Sequence, residues 1–230
     1  LIKYSLKNNK KRFALINPIK NKNIEIERKL VNKISLNNGI LTFSTNYSND
    51  IAKISKLAEI IKQKSKISNT DVIIFTGNPD KNMLHLAAEL ADISKSKSVD
   101  GIQIIGLSSW SNSASIISEP AFQNSWLALP DDRFRTIFEN KFIKKFGYRP
   151  HPKSNLTYDA IAALGVLDKR PINRNLYQNK FSGLFNSNGF IGIDGIFRFN
   201  NDRIAEKELS VIQIINGQPN IIKKARNRFP

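Results

Sequence analysis

Few residues in this chain could carry covalent or metal chemistry. Among 230 residues there is no Cys, and there are two His. Disulfides, thiolate nucleophiles and thiolate metal sites are thereby excluded. His85 falls in a helical pattern and His151 sits between Pro150 and Pro152, too few ligands for a zinc site. No G-x-S-x-G elbow is present to hold a serine nucleophile. Gly189, Gly192 and Gly195 recur at a spacing of three. A dinucleotide loop needs G-x-G-x-x-G between a strand and a helix, so that a helix N-terminus faces the pyrophosphate. Here Ile196-Phe197-Arg198-Phe199 follows and reads as a strand, so the glycines are assigned to tight turning. No catalytic residue, metal or cofactor is expected, and the chain is not read as an enzyme. What remains is binding by hydrogen bonds and charge.

The elements that would position such groups alternate along the first half. Phe13 to Ile16, Ile40 to Ser44, Asp71 to Phe75 and Ile102 to Gly106 are short apolar runs that read as strands. Helices are expected from Ile24 to Leu36, stopped by Asn37-Asn38-Gly39, then from Ile51 to Ile61 and beyond, with Ser48 or Asn49 as its cap, and around Met83 to Leu90. This β-α-β-α-β-α-β order implies a parallel sheet with right-handed crossovers. Ligands of such sheets bind beyond the C-terminal strand ends. Those ends carry Asn17, Lys20, Thr76, Gly77, Asn78, Ser109 and an exposed-looking Trp110 in a polar run.

After Gly106 the composition changes. Gln123 to Leu129 reads as a strand. A helix is expected from Asp131 to Phe146, capped by Asp131-Asp132, whose stripe of Phe134, Ile137, Phe138, Phe142 and Phe146 is assigned to the core. A second helix spans Ser154 to Leu167, with Tyr158 weighed as a cleft residue or a packing residue, and Arg170 to Asn179 reads as a loop. The tail reads as a strand, an Asn200-Asn201-Asp202 turn, a strand from Leu209 to Ile215, an Asn216-Gly217 turn and a short strand from Asn220 to Ile222.

The formal charge is +17, from 36 Lys and Arg against 19 Asp and Glu. The basic residues are scattered, with clusters only at Lys10-Lys11-Arg12 and Lys223-Lys224-Ala225-Arg226, and no aromatic-basic stacking motif accompanies them. Nucleic acid is not an expected partner. No run of about eighteen apolar residues exists, so no transmembrane segment is expected.

Three segments in order carry a family resemblance: Glu119 to Ala128 (EPAFQNSWLA), Phe146-Gly147-Tyr148-Arg149-Pro150 with Leu156-Thr157-Tyr158-Asp159-Ala160, and the glycine-rich tail from Gly189. The chain resembles ligand-binding proteins of the type I periplasmic-binding fold, in the leucine/branched-chain amino-acid-binding branch and its penicillin-binding protein activator relatives. The resemblance covers nearly all of Arg12 to Phe229. It implies an α/β fold of two lobes with ligand between them. Residues 1–118 would form the second-lobe sheet, 119–184 a crossover and first-lobe helices, and 185–230 the return to the second lobe as a β-rich tail. The first-lobe sheet would precede residue 1, making this the C-terminal part of a longer protein.

The resemblance also implies function: a non-enzymatic module for amino acids or similar small polar solutes, located in the periplasm or cell envelope, with an ABC permease as partner. Its ligand residues would be Asn17, Lys20, Lys22, Thr76, Gly77, Asn78, Ser109, Trp110 and Tyr158. Two positions depart from the family. Lys22-Asn23 stands where Tyr-Gly is common, and Ser108-Ser109-Trp110 lacks the carboxylate found after the fourth strand. These departures motivate an alternative, an envelope interaction module that docks on a cell-wall synthase.

Overall fold

Seven consecutive residues, Arg12–Pro18, form strand β1, and all but Arg12 are buried. A strand buried on both faces reads as one apolar run instead of an alternation, which is why Phe13 to Ile16 is legible in the sequence. In the computed structural model, which describes residues 1–20, 22–48, 50–91, 101–130, 133–151, 153–168 and 182–229, the chain divides into two compact units. Unit 1 comprises Leu1–Ala128 and Val211–Ile222, and unit 2 comprises Leu129–Ser210 and Lys223–Pro230.

Unit 1 is built on a seven-stranded sheet. Besides β1 it contains β2 (Ile40–Tyr47), β3 (Val72–Phe75), β4 (Gln103–Ile105), β5 (Trp126–Leu129), β9 (Ser210–Ile215) and β10 (Gln218–Lys223), in the order β10-β9-β5-β4-β3-β1-β2. β2, β1, β3, β4 and β5 run parallel, as the alternation of strands and helices predicts. Helices α1 (Ile2–Lys7), α2 (Ile24–Ser35), α3 (Ile51–Ile67), α4 (Lys81–Glu89) and α5 (Ala114–Ser118) connect or flank them. α2 ends through Asn38, whose φ of 60° lets the Gly39 amide reach back to the Ile34 carbonyl. The cap of α3 is Asp50, which accepts from the Ala52 amide, and not Ser48. Asn49, the other candidate, lies outside the described residues.

One side of the sheet packs Phe13, Leu15, Val72, Ile74 and Trp126 with Ile2 and Ile34. Phe75, Trp110 and Phe122 form a second aromatic group, with ring centroids 4.5 to 5.9 Å apart. The Asn216-Gly217 turn is present, with φ of 51° and 71°, both left-handed as a two-residue hairpin demands. It joins β9 to β10, which runs longer than the expected Asn220–Ile222.

Unit 2 contains α6 (Arg133–Phe146), α7 (Ser154–Asp168) and an antiparallel sheet of β6 (Phe190–Gly192), β7 (Gly195–Phe199) and β8 (Ala205–Lys207). Strand β8 was not anticipated. The Asn200 turn is present, with its side chain accepting from the Ile204 amide. Gly189 has a φ of 73°, and a Cβ there would stand 2.5 Å from the Phe197 carbonyl oxygen. Its role is to turn the chain in close quarters. The expected caps Asp131-Asp132 and the loop from Arg170 to Asn179 lie outside the described residues.

The aromatic stripe of α6 is not core, contrary to its assignment from periodicity. α6 buries no residue, and Phe134, Ile137 and Phe146 are exposed. Period 3.6 identifies an apolar face but not what covers it. The core of unit 2 is smaller: Ala163, Phe190 and Phe197, with Leu184 and Phe199 against them.

Candidate ligand-binding site

The C-terminal ends of the parallel strands gather eight of the nine expected residues on unit 1. At the end of β1, Asn17 is 1% exposed. Its Oδ1 accepts from Thr76 Oγ1 at 2.7 Å, and its Nδ2 donates to Ser44 Oγ at 2.9 Å and Glu27 Oε1 at 3.1 Å. Lys22 Nζ lies 2.8 Å from Glu27 Oε2. Its ammonium and the Ser44 hydroxyl hold Glu27 below the usual carboxylate range. Lys22, Glu27, Ser44, Asn17 and Thr76 thus form one connected network that ties β1, β2, β3 and α2 together. Asn17 and Thr76 are committed inward, so their part is to fix the edge.

Gly77, Asn78, Ser109 and Trp110 form a second group. Ser109 Oγ donates to Asn78 Oδ1 at 3.0 Å, and Trp110 Nε1 donates to the Gly77 carbonyl at 3.4 Å. Trp110 is fully buried, which corrects its reading as an exposed aromatic. Its indole packs between Phe75 and Phe122 and against Gly106, where a Cβ would collide with the ring. A lone aromatic among serines carries no periodic signal, and its neighbours are distant in sequence.

Lys20 is exposed and, among the described residues, makes no ion pair or hydrogen bond. Tyr158 is placed on unit 2, in α7. It is 55% exposed, with its ring edge-on to Phe138 at 5.2 Å.

One residue of this edge was missed. Tyr47 ends β2 and is 1% exposed, yet its hydroxyl makes no hydrogen bond among the described residues. The hydroxyl lies 2.8 Å from where a Gly77 Cβ would stand, so only glycine fits at 77. Burial raises the phenol above its usual range, and the nearby Asp80 carboxylate adds to that, so the group stays a proton donor. The signal was available in principle, but β2 was expected to stop at Ser44, three residues short.

Unit 2 holds a separate polar cluster. Asp194, between β6 and β7, is bound by Arg135 Nη2 at 2.6 Å and Asn155 Nδ2 at 3.0 Å. Asp159 Oδ1 accepts from the Ile193 amide at 2.8 Å. The Asp of the Tyr158-Asp159-Ala160 motif and the Asp of the glycine-rich tail therefore both fix the β6–β7 corner against α6 and α7. Among the described residues there is no group of three or more His, Cys, Asp or Glu arranged to hold a metal. No helix there is long and apolar enough to cross a membrane.

No protein-family model matches this chain, and no curated protein matches it. Solved structures do. A putative branched-chain amino acid ABC transporter protein from Rhodospirillum rubrum superposes with a TM-score of 0.70 at 14% identity, covering 96% of this chain and 63% of its own. An ABC transporter substrate-binding protein from Desulfitobacterium hafniense in complex with Leu gives 0.59 at 13% identity, covering 96% and 63%. A solute-binding protein of an ABC transporter from R. palustris in complex with benzoate gives 0.55 at 12% identity, covering 99% and 62%. The chain therefore has the type I periplasmic-binding fold and spans less than two thirds of the length of these structures.

Proposed function

We propose that this chain is a ligand-binding part of a non-enzymatic solute-binding protein that serves an ABC permease in the periplasm or cell envelope. The observation that carries the reading is the shared fold over 96% of the chain with a branched-chain amino acid transporter protein. The fold argues for class, and the site argues for chemistry. In this reading the strand-end edge of unit 1 meets a small polar solute. Lys20, Asn78 and Ser109 face it. Gly77 and Trp110 form the floor, and Lys22, Asn17 and Thr76 hold the edge in register.

The test is a thermal-melt screen of the chain against amino acids and small organic acids. A ligand that binds only the folded state raises the melting temperature, by the equivalent of about 2.7 kcal/mol at a hundred times its dissociation constant. At least one compound should do so. A flat response across the screen removes the reading.

A further inference from the structure

From the charges and rings at the C-terminal end of α6, we infer that unit 2 carries a docking surface for anionic lipid, centred on Phe146 and Tyr148. The contact is peripheral, with the face of a bilayer. It lies on unit 2, and it does not depend on the solute-binding reading.

Between Glu139 and Asp159 the chain has five cations, Lys141, Lys144, Lys145, Arg149 and Lys153, and no acid. All five are exposed, and none makes an ion pair among the described residues. Three rings stand among them. The Phe142 centroid lies 4.5 Å from that of Phe146 and 5.5 Å from that of Tyr148. Phe146 and Tyr148 are 6.4 Å apart. Gly147, with a φ of 78°, turns the chain between them. Lys145 Nζ stands over the Phe146 ring at 5.4 Å. Phe146 is 49% exposed and Tyr148 62% exposed.

Charge and apolar surface together select the occupant. Cations beside exposed rings on one helix suit the boundary of a bilayer, where the rings enter the headgroup level and the cations meet lipid phosphates. A tyrosine fits the same depth, with one end of its ring apolar and the other wet. A second copy of this chain would bring five more cations against these five. An acidic protein would answer the charge. The exposed apolar side chains, however, continue on α7 at Leu156, Tyr158 and Ile161, with the Tyr158 ring against Phe138 of α6. A bilayer boundary covers such a spread without a matching shape.

The experiment is co-sedimentation of the whole chain with vesicles of phosphatidylcholine alone, and of phosphatidylcholine and phosphatidylglycerol in equal parts. The anionic vesicles should bind at least about tenfold better, because each basic residue near an anionic surface adds about fivefold. A chain of +17 also meets such vesicles through its overall field, so matched variants locate the contact. Lys144→Gln with Lys145→Gln should weaken binding by about tenfold or more. Lys56→Gln with Lys66→Gln, exposed on α3 and equal in charge removed, should weaken it by less than about threefold. Phe146→Ser with Tyr148→Ser leaves the charge unchanged and should weaken it by roughly tenfold. Failure to bind anionic vesicles overturns the inference in favour of a protein partner. Equal weakening by the two lysine pairs also overturns it, because net charge alone then does the binding. Indifference to the aromatic pair does the same. Sedimentation velocity without lipid should show a monomer. A dimer that the aromatic pair dissolves overturns the inference, because a second copy then covers this face. The lysine pairs are exposed, so their comparison stands even where the aromatic variant folds poorly.

Discussion

Helix α4 of unit 1 and helix α6 of unit 2 both carry apolar stripes, yet α4 buries Met83, Leu86 and Ala87 while α6 buries nothing. α7 repeats the pattern, leaving Leu156, Tyr158, Ile161, Leu164 and Val166 exposed. In unit 2 the α6 stripe and Tyr158 border an open groove of about 470 Å³, lined among others by Phe138, Phe142 and Phe146. The two units thus use apolar residues for different ends. In unit 1 they fill the space on both sides of a sheet. In unit 2 only a small cluster is filled, and polar bonds at Asp159 and Asp194 hold the β6–β7 corner to the helices.

The contrast can be broken most sharply at Trp110. Trp110→Ala removes a fully buried indole that packs on Phe75 and Phe122, and should destabilise unit 1 by about 3–5 kcal/mol, read as an earlier urea midpoint by circular dichroism. A loss under about 1 kcal/mol would mean that the aromatic group is not a packed core.

Asp159 tests the polar side of the comparison. Burial raises its carboxyl above the usual carboxylate range, against the Ile193 amide that lowers it. The folded state then binds a proton more readily than the unfolded state. The associated stability is fully present below the ordinary carboxylate pKa and is lost as pH rises through the raised folded value. Asp159→Asn keeps an oxygen for the Ile193 amide and removes the titration. Whatever offset the amide introduces, the parent should lose stability relative to the variant on going from acid to neutral pH. Scanning calorimetry across that range checks it, and parallel pH profiles would show that burial does not perturb the carboxyl.

The smallest effect is expected at Phe146, which is 49% exposed and packs at a tilt against Phe142, with ring centroids 4.5 Å apart. Phe146→Ala should cost no more than about 1 kcal/mol while lowering the binding of an apolar dye to unit 2. A loss as large as that at Trp110 would place the stripe in a core after all.

These differences also explain what could be read in advance. Parallel strands covered on both faces announce themselves, as Phe13 to Ile16 and Val72 to Phe75 do. Turns announce themselves when only certain residues tolerate the backbone, as at Asn216-Gly217. The edge where ligand is expected could be located from the same alternation, and Asn17, Thr76, Gly77 and Ser109 fall on it. What could not be read was which of them face inward. That depends on pairings such as Asn17 with Thr76, 59 residues apart. Trp110 and the α6 stripe were misassigned for one physical reason: burial is set by neighbours that local periodicity does not encode.

Both tryptophans of the chain, Trp110 and Trp126, lie in unit 1. Selective excitation of indole therefore reads this unit alone, while unit 2 is optically silent at that wavelength. Trp110 sits among Phe75 and Phe122, and Trp126 against Tyr4, so both should emit towards the blue until the seven-stranded sheet opens. Trp110 also touches the Gly77 carbonyl at the floor of the proposed site. The native protein thus carries a built-in fluorescent probe there, with no label to attach.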